Sequence, residues 1–279
     1  MGNYYCLMAG LPDLNLNNTG SNYTIDDFIE ECNDALSDSD KKLLFYFFLK
    51  YDCLNLVELL QNPDAEISPY GNFTIEQYRD LITSAKEMNF NVNRFPAFMS
   101  IFAREYSYNK GKVGYFPKDA IMLEYYKFAM KCPNRMISSW YKMNFDITNI
   151  LTAMIARQNG WNVGDYIRGD NEICEMIRTN NTKDFNLGVE YDYVTDLMKI
   201  VDCEDPVEKE HRIDAFKWMW LDDAIFFDIF SVDAVFAYMC KLEMLQRWDK
   251  LDVEIGKATF RQIIENLRGE ARVPDKYKR

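Results

Sequence analysis

Two ten-residue stretches in different parts of the chain repeat one pattern: residues 51–60 are YDCLNLVELL and residues 145–154 are FDITNILTAM. Each begins with an aromatic residue and an aspartate, and an asparagine follows the aspartate three positions later. The apolar residues behind each aspartate recur every three or four positions, which is the spacing of one face of an α-helix. Internal similarity of this kind predicts a fold made of repeated helical units.

A degenerate third copy begins at Glu243, with Gln246 at the same interval of three. Most other long segments have helical periodicity, and the 8 prolines and 12 glycines fall mostly at segment ends. The sequence therefore predicts a mainly α fold. The even spacing of the copies divides it into three related helical subdomains within one compact body, at residues 1–95, 96–190 and 191–279.

The repeated pattern resembles the start of a helix. A short acidic side chain at the N-cap accepts hydrogen bonds from free first-turn amides, and an amide side chain at the third helical position reaches back. The sequence thus predicts three pairs of capping residues, which are Asp52 with Asn55, Asp146 with Asn149, and Glu243 with Gln246.

Further helix starts are predicted at three residues that favour N-caps, which are Thr74, Asp165 and Thr259. Another helix is predicted to begin near Thr24. Near the N-terminus, residues 5–11 form a short apolar run, and periodicity leaves open whether it is helical or extended.

Seven cysteines without a Cys-x-x-Cys pair favour buried, reduced thiols over a disulfide framework. The apolar run at residues 4–12 has no basic residue before it, unlike a secretory signal, and the position held by Cys6 does not fit a myristoylation motif. The longest apolar run, residues 43–49, is far shorter than the roughly 20 residues of a membrane span. We therefore expect a cytoplasmic protein without a membrane span.

The net charge of −12 argues against a nucleic-acid partner, because binding to phosphates requires a basic surface. Basic residues cluster only in residues 268–279, where acidic residues are mixed with them.

One acidic motif invites an enzymatic interpretation. Asp222, Asp223 and Asp228 have the Asp-Asp-x-x-x-x-Asp form with which isoprenoid synthases hold magnesium and a diphosphate, and carboxylate oxygens suit that ion. No second acidic motif of that kind accompanies it. The alternative is a helix edge beside a buried apolar stripe that includes Phe226 and Ile229.

The single histidine, His211, is flanked by Glu208 and Asp214 at intervals of three. These residues would share one helical face and could hold a metal, but a lone histidine without cysteine partners makes a poor zinc site. A solvated face of ion pairs is the alternative. With one histidine and no glycine-rich phosphate loop, we expect no active site and no cofactor.

The residues also carry a family resemblance. The acidic-x-x-amide pattern in an all-helical chain of this length, with the closing stretches VFAYMCKLE at 235–243 and FRQIIENLR at 260–268, resembles the C subunit of V/A-type rotary ATPases, called subunit d in eukaryotes. The stretches YYCLMAGLPDL, FDITNILTAMIARQNGW and DAVFAYMCKLEMLQRWDKLD resemble a bacterial family of unknown function that is encoded among V-type ATPase subunits.

This resemblance implies a funnel-like body of three related subdomains with no chemistry of its own. Such a subunit sits on the cytoplasmic face of the membrane rotor ring, and its central hollow receives the end of the axle formed by subunits D and F. The principal hypothesis is therefore a central-stalk subunit that couples ATP-driven rotation to ion transport. The alternatives are a magnesium-dependent enzyme acting on a diphosphate and a free-standing helical adaptor.

Overall fold

The computed structural model describes residues 4–17, 23–87 and 94–249. These residues form eleven α-helices and two one-turn 3-10 helices, and none of them lies in a β-strand, so the predicted mainly α class is confirmed. The α-helices are α1 (Tyr5–Gly10), α2 (Ile25–Ala35), α3 (Asp38–Gln61), α4 (Ile75–Lys86), α5 (Ala97–Asn109), α6 (Pro117–Ala129), α7 (Arg135–Gln158), α8 (Glu172–Thr179), α9 (Val194–Val201), α10 (Pro206–Ile225) and α11 (Val232–Asp249).

The apolar run near the N-terminus is helical. It forms α1, which buries Leu7, and the backbone N–H of Tyr4 donates a 2.8 Å hydrogen bond to the carbonyl oxygen of Phe230. The first helix is thereby attached to the loop between α10 and α11, near the other end of the described chain.

Two of the predicted helix starts are confirmed by complete capping boxes. Thr24 caps α2: its hydroxyl accepts from the backbone N–H of Asp27, whose carboxylate accepts from the backbone N–H of Thr24. Thr74 and Gln77 make the same reciprocal pair at the start of α4. Each box satisfies amides that the first turn of a helix leaves without a partner.

The other two predicted starts differ. Asp165 is the last residue of the 3-10 helix Val163–Asp165, and the α-helix that follows is α8, capped by Asn171. Thr259 lies outside the described residues.

The three predicted pairs of capping residues are wrong. Asp52 and Asn55 lie inside α3, whose N-cap is Ser37. Asp146 and Asn149 lie inside α7, which Asn134 caps, and Glu243 and Gln246 lie inside α11. A helix interior has no free first-turn amides, so these side chains find other partners.

In α3 the buried residues Asp52 and Asn55 hold the loop that follows the helix. The carboxylate of Asp52 accepts hydrogen bonds from the hydroxyl of Tyr78 at 2.5 Å and the side-chain amide of Asn72 at 2.6 Å. The amide of Asn55 accepts from the backbone N–H of Ser68 at 2.8 Å and donates to the carbonyl of Ser68 at 3.0 Å. The return loop and the start of α4 are thus fixed to the middle of α3.

The pair in α7 has the same role. Asp146 accepts from the side-chain amide of Asn171 at 2.6 Å and from Lys142 at 3.0 Å, and Asn149 accepts from the backbone N–H of Arg168 at 2.9 Å. The sequence repeat therefore corresponds to a repeated contact, the loop clamp: Asp52 and Asn55 in α3, and Asp146 and Asn149 in α7, hold the loop that follows their helix. The segment after α11, where a third clamp would act, lies outside the described residues.

The buried apolar side chains form one continuous cluster that extends from Tyr4 to Met244. Helices pack across both predicted boundaries, α4 against α5 and α7 against α9. The division into units 1–95, 96–190 and 191–279 and their pseudo-threefold, funnel-like arrangement stay predictions.

Five of the seven cysteines are buried and all seven are free thiols, as their spacing predicts. Within residues 4–17, 23–87 and 94–249, no helix combines the length and apolar character that a bilayer span requires.

Candidate functional site

A cavity of about 700 Å³ lies among six of the helices. Its walls come from α2, α3, α6, α7, α10 and α11 and from residues 68–70, the loop that the α3 clamp holds. A volume of this size falls within the range of ligand pockets in proteins. The ionisable side chains that line it, tyrosines and Cys240 apart, are Lys50, Asp214, Lys217, Glu243 and Arg247.

The first charged group joins α3 to α11. Lys50 forms an ion pair with Glu243, whose second carboxylate oxygen accepts a 2.5 Å hydrogen bond from the hydroxyl of Tyr51. Burial alone would raise the pKa of Glu243, but Lys50 and the hydrogen bonds from Lys50 and Tyr51 hold it below its ordinary value. Glu243 is therefore a fixed negative charge at neutral pH.

The second charged group joins α10 to α11. The carboxylate of Asp214 is buried and accepts hydrogen bonds from the guanidinium of Arg247 and, at 2.8 Å, from the indole N–H of Trp248. Arg247 also lies 3.5 Å from a carboxylate oxygen of Glu210. Arg247 is thus shared between Oδ2 of Asp214 and Oε2 of Glu210.

Lys217 is different, because its ammonium makes no hydrogen bond or ion pair with any residue between 4 and 249 that the structure describes. Desolvation lowers its pKa, and the nearby charges of Arg247 and Lys50 lower it further, while Asp214 and Glu210 oppose the shift. The cavity lining therefore carries three basic side chains against two acidic ones. These side chains have a positive surplus, although the chain as a whole has a net charge of −12.

Aromatic side chains make up much of the remaining wall. Tyr141 meets Tyr125 edge to face, with ring centroids 5.5 Å apart, and Tyr126 packs against Phe145 at 5.6 Å. Burial raises the pKa of Tyr125 and of Tyr141, and it raises that of Tyr126 to about 12. These hydroxyls stay protonated at neutral pH. That of Tyr125 donates a 3.0 Å hydrogen bond to the carbonyl oxygen of Tyr46, whereas that of Tyr126 makes no hydrogen bond with a described residue.

The predicted magnesium motif does not form a site. Asp222 and Asp223 lie at the end of α10, which stops at Ile225, so Asp228 belongs to the following loop. Asp222 forms a 2.5 Å ion pair with Lys241. No group of three acidic, histidine or cysteine residues in the described ranges is arranged to hold a metal ion.

The alternative interpretation of that motif, a buried apolar stripe, is wrong at Phe226 and Ile229, which are exposed together with their neighbour Phe227. Phe226 is 70% exposed, Phe227 96% and Ile229 50%. The helix ends before these residues, so they project from the loop instead of continuing the buried face of α10.

The residues around His211 do not converge on a metal either. Glu208 pairs with Arg212 at 2.7 Å, and Asp214 is engaged by Arg247 and Trp248. The imidazole of His211 packs edge to face on Trp248, with centroids 5.6 Å apart. One face of α10 is thus a surface of ion pairs, while Asp214 belongs to the cavity.

Fold and site together define an all-helical protein with a charged, aromatic-lined central cavity. A family model described as "Protein of unknown function (DUF2764)" matches residues 1–271, and the chain belongs to this family. No curated protein and no solved structure matches the chain.

Sequence reasoning singled out Asp214, Glu243 and Gln246 for other roles and missed Lys50, Lys217 and Arg247 as cavity residues. One signal was available, because Lys50 and Glu243 each interrupt a strongly apolar stretch. A charged residue within such a stretch is rarely buried without a partner, so its presence indicates an ion pair between helices.

Proposed function

We propose that the protein is a non-catalytic central-stalk subunit of a V-type rotary ATPase, with the role of the C subunit (eukaryotic subunit d). In that role it links the axle formed by subunits D and F to the membrane rotor ring and transmits torque between ATP turnover and ion transport. It would reach the cytoplasmic face of the membrane through the complex.

The observation that carries this proposal is the origin of the cavity walls. They come from α2 and α3 in the first third of the chain, α6 and α7 in the second, and α10 and α11 in the last. A hollow enclosed by all three parts of a helical body is what a socket for an axle requires. The motifs in residues 145–161 and 233–252 that resemble the ATPase-associated family give the same expectation.

The size of the cavity fits a short insertion. An α-helix with its side chains is about 10–12 Å across and rises 5.4 Å per turn, so a volume of about 700 Å³ would hold roughly one to two turns. We therefore expect only the tip of a partner helix to enter it.

A second contact surface supports a role in an assembly. Phe226, Phe227 and Ile229 stand exposed on the loop between α10 and α11, and adjacent exposed aromatic residues are typical of sites that bind a protein partner. The rotor ring is the partner that the proposal assigns to this loop.

The alternatives gain less support. The diphosphate enzyme relied on Asp222, which Lys241 already engages, and the described residues supply no second acidic cluster to face it. A free-standing adaptor would use the same cavity and loop, so the identity of the bound partner separates it from the ATPase subunit.

Binding of a purified D–F pair to the isolated protein tests the proposal. Gln246 lines the cavity and makes no side-chain hydrogen bond among the described residues, so Gln246→Trp should fill the socket and abolish binding. Gln61→Trp places the same bulk at the exposed end of α3 and should bind as the wild type does. A wild-type protein that shows no affinity for the D–F pair would contradict the proposal.

A further inference from the structure

We propose that the central cavity binds a small organic anion, with one carboxylate or phosphate group against Lys217 and an apolar body against the aromatic wall. This inference does not depend on the proposed function, because it rests on the charges and rings of the cavity alone.

The basic side chains of the cavity wall differ in how they are paired. In the cavity wall Glu243 neutralises Lys50 and Asp214 neutralises Arg247, and each pair is held by direct hydrogen bonds. Lys217 makes no direct hydrogen bond or ion pair among the described residues, although the charges of Asp214 and Glu210 favour its ammonium from a distance. A partly buried ammonium of this kind gains most from an anion that supplies the missing charge, because charge-assisted hydrogen bonds strengthen where water is excluded.

Burial makes it costly to hold Lys217 as an ammonium. Desolvation is the largest effect and lowers its pKa; Asp214 and Glu210 oppose the shift, and Arg247 and Lys50 add to it. An anion bound beside the ammonium would oppose both effects, so binding should raise the pKa of this lysine. A single anionic group matches the surplus of one positive charge among the side chains that line the cavity, a count that leaves out Glu210 behind Arg247.

The cavity wall also contains aromatic rings and polar side chains without a hydrogen-bond partner in the described part of the chain. Tyr126 and Gln246 line the cavity, and their side-chain polar groups make no hydrogen bond with a described residue, so both can contact a ligand. Trp140 lines the same cavity and packs against Trp220 with ring centroids 5.6 Å apart. Rings with a few polar groups between them are typical of small-molecule sites. The ligand is therefore expected to combine an apolar body with its charge.

Benzoate and benzamide provide a matched pair of probes, since they have nearly the same shape and only benzoate carries a charge. Phenyl phosphate tests the other anionic group, and inorganic phosphate tests whether the apolar body contributes. Binding to the isolated full chain is followed by the indole N–H resonance of Trp140 and by calorimetry.

We expect benzoate or phenyl phosphate to bind saturably and at least tenfold more tightly than benzamide, with inorganic phosphate weaker than phenyl phosphate. Lys217→Met should lose this preference, Lys217→Arg should retain it, and Lys183→Met should bind as the wild type, because Lys183 is exposed and lies outside the cavity wall. Thermal melting of each variant establishes that it is folded.

Equal affinities for benzoate and benzamide, unchanged benzoate binding by a folded Lys217→Met variant, or no saturable binding of either anion would each overturn the inference. These measurements use no ATPase subunit, so their failure would leave the proposed function standing. Failure to bind the D–F pair would likewise leave the anion site standing.

Discussion

Lys50 on α3 and Glu243 on α11 form an ion pair at the cavity wall although 193 positions separate them in the chain. Their side chains are 24% and 29% exposed, so water screens the pair only in part. The pair connects the first and last thirds of the described chain. It therefore makes the cavity a product of the whole fold instead of one local segment.

A double-mutant cycle measures this connection. Glu243→Gln leaves Lys50 partly buried without its counter-ion, and Lys50→Met leaves Glu243 in the same state. We expect a coupling free energy of about 0.5–3 kcal/mol in urea unfolding at neutral pH. Because Lys50 and its hydrogen bond hold the pKa of Glu243 below 4.5, this stability is present above that pH and is lost as pH falls through the folded-state pKa. If the free-energy losses of the two single variants simply add in the double variant at neutral pH, the ion pair is contradicted.

The contribution of Asp52 to stability should have the opposite pH dependence and decrease as pH rises. Burial raises its pKa from 3.8 to about 6, although the hydrogen bonds from Tyr78 and Asn72 limit the rise. The folded state then binds the proton more tightly than the unfolded state, so stability falls as pH rises from about 4 to 6. At about 1.4 kcal/mol per pKa unit, the unfolding free energy of wild type relative to Asp52→Asn should fall by about 3 kcal/mol over this interval.

The exposed Asp64→Asn variant controls for the loss of one charge in this experiment, and its difference from wild type should change far less. The carboxyl resonance of Asp52 provides a direct check. A pH-independent difference between wild type and Asp52→Asn would show that the α3 clamp does not hold this carboxyl group as described.

The loop clamp is tested by Asn55→Ala. This change removes both hydrogen bonds to the backbone of Ser68 and should cost about 1–3 kcal/mol, because a partly buried backbone amide and carbonyl lose their partner. Hydrogen exchange at the Ser68 amide should accelerate. Asn149→Ala should do the same at the Arg168 amide, whereas Gln61→Ala at the exposed end of α3 should leave both amides unchanged. An unchanged Ser68 amide in Asn55→Ala would count against the clamp.

Gly71 lies against the same clamp and offers a steric test. A Cβ atom added there would lie 2.7 Å from a carboxylate oxygen of Asp52 and 2.8 Å from the hydroxyl of Tyr78. Gly71→Ala should therefore destabilise the fold by about 1–3 kcal/mol, as overpacking does. At Gly164 the nearest atom to an added Cβ is 3.9 Å away, so Gly164→Ala is the matched control and should melt close to wild type. Equal melting temperatures for the two variants would contradict this packing.

The sequence predicted the fold class and the helix starts at Thr24 and Thr74, because these depend on residues close together in the chain. It predicted the wrong role for Asp52 and Asp146. An aspartate and an asparagine three positions apart share a face both at a helix start and inside a helix, so their spacing does not separate the two. The partners that decide the matter, Asn72 and Asn171, lie in loops that only tertiary packing brings close.

The same limit applies to the cavity. Lys217 interrupts an apolar stretch of α10, AFKWMW at residues 215–220, as Lys50 and Glu243 interrupt theirs. Its position beside Arg247 and Lys50 follows from how α10 packs on α11 and α7. The local pattern therefore indicates a partly buried charge at Lys217 but does not identify the groups around it.

Affinity purification of the tagged endogenous protein under mild conditions tests the proposed function most directly. If the protein is a central-stalk subunit, the D and F axle subunits and the rotor ring should co-purify with it in fixed proportion, and the Gln246→Trp variant should lose the axle subunits while Gln61→Trp retains them. Isolation of the intact ATPase without this protein would contradict the account.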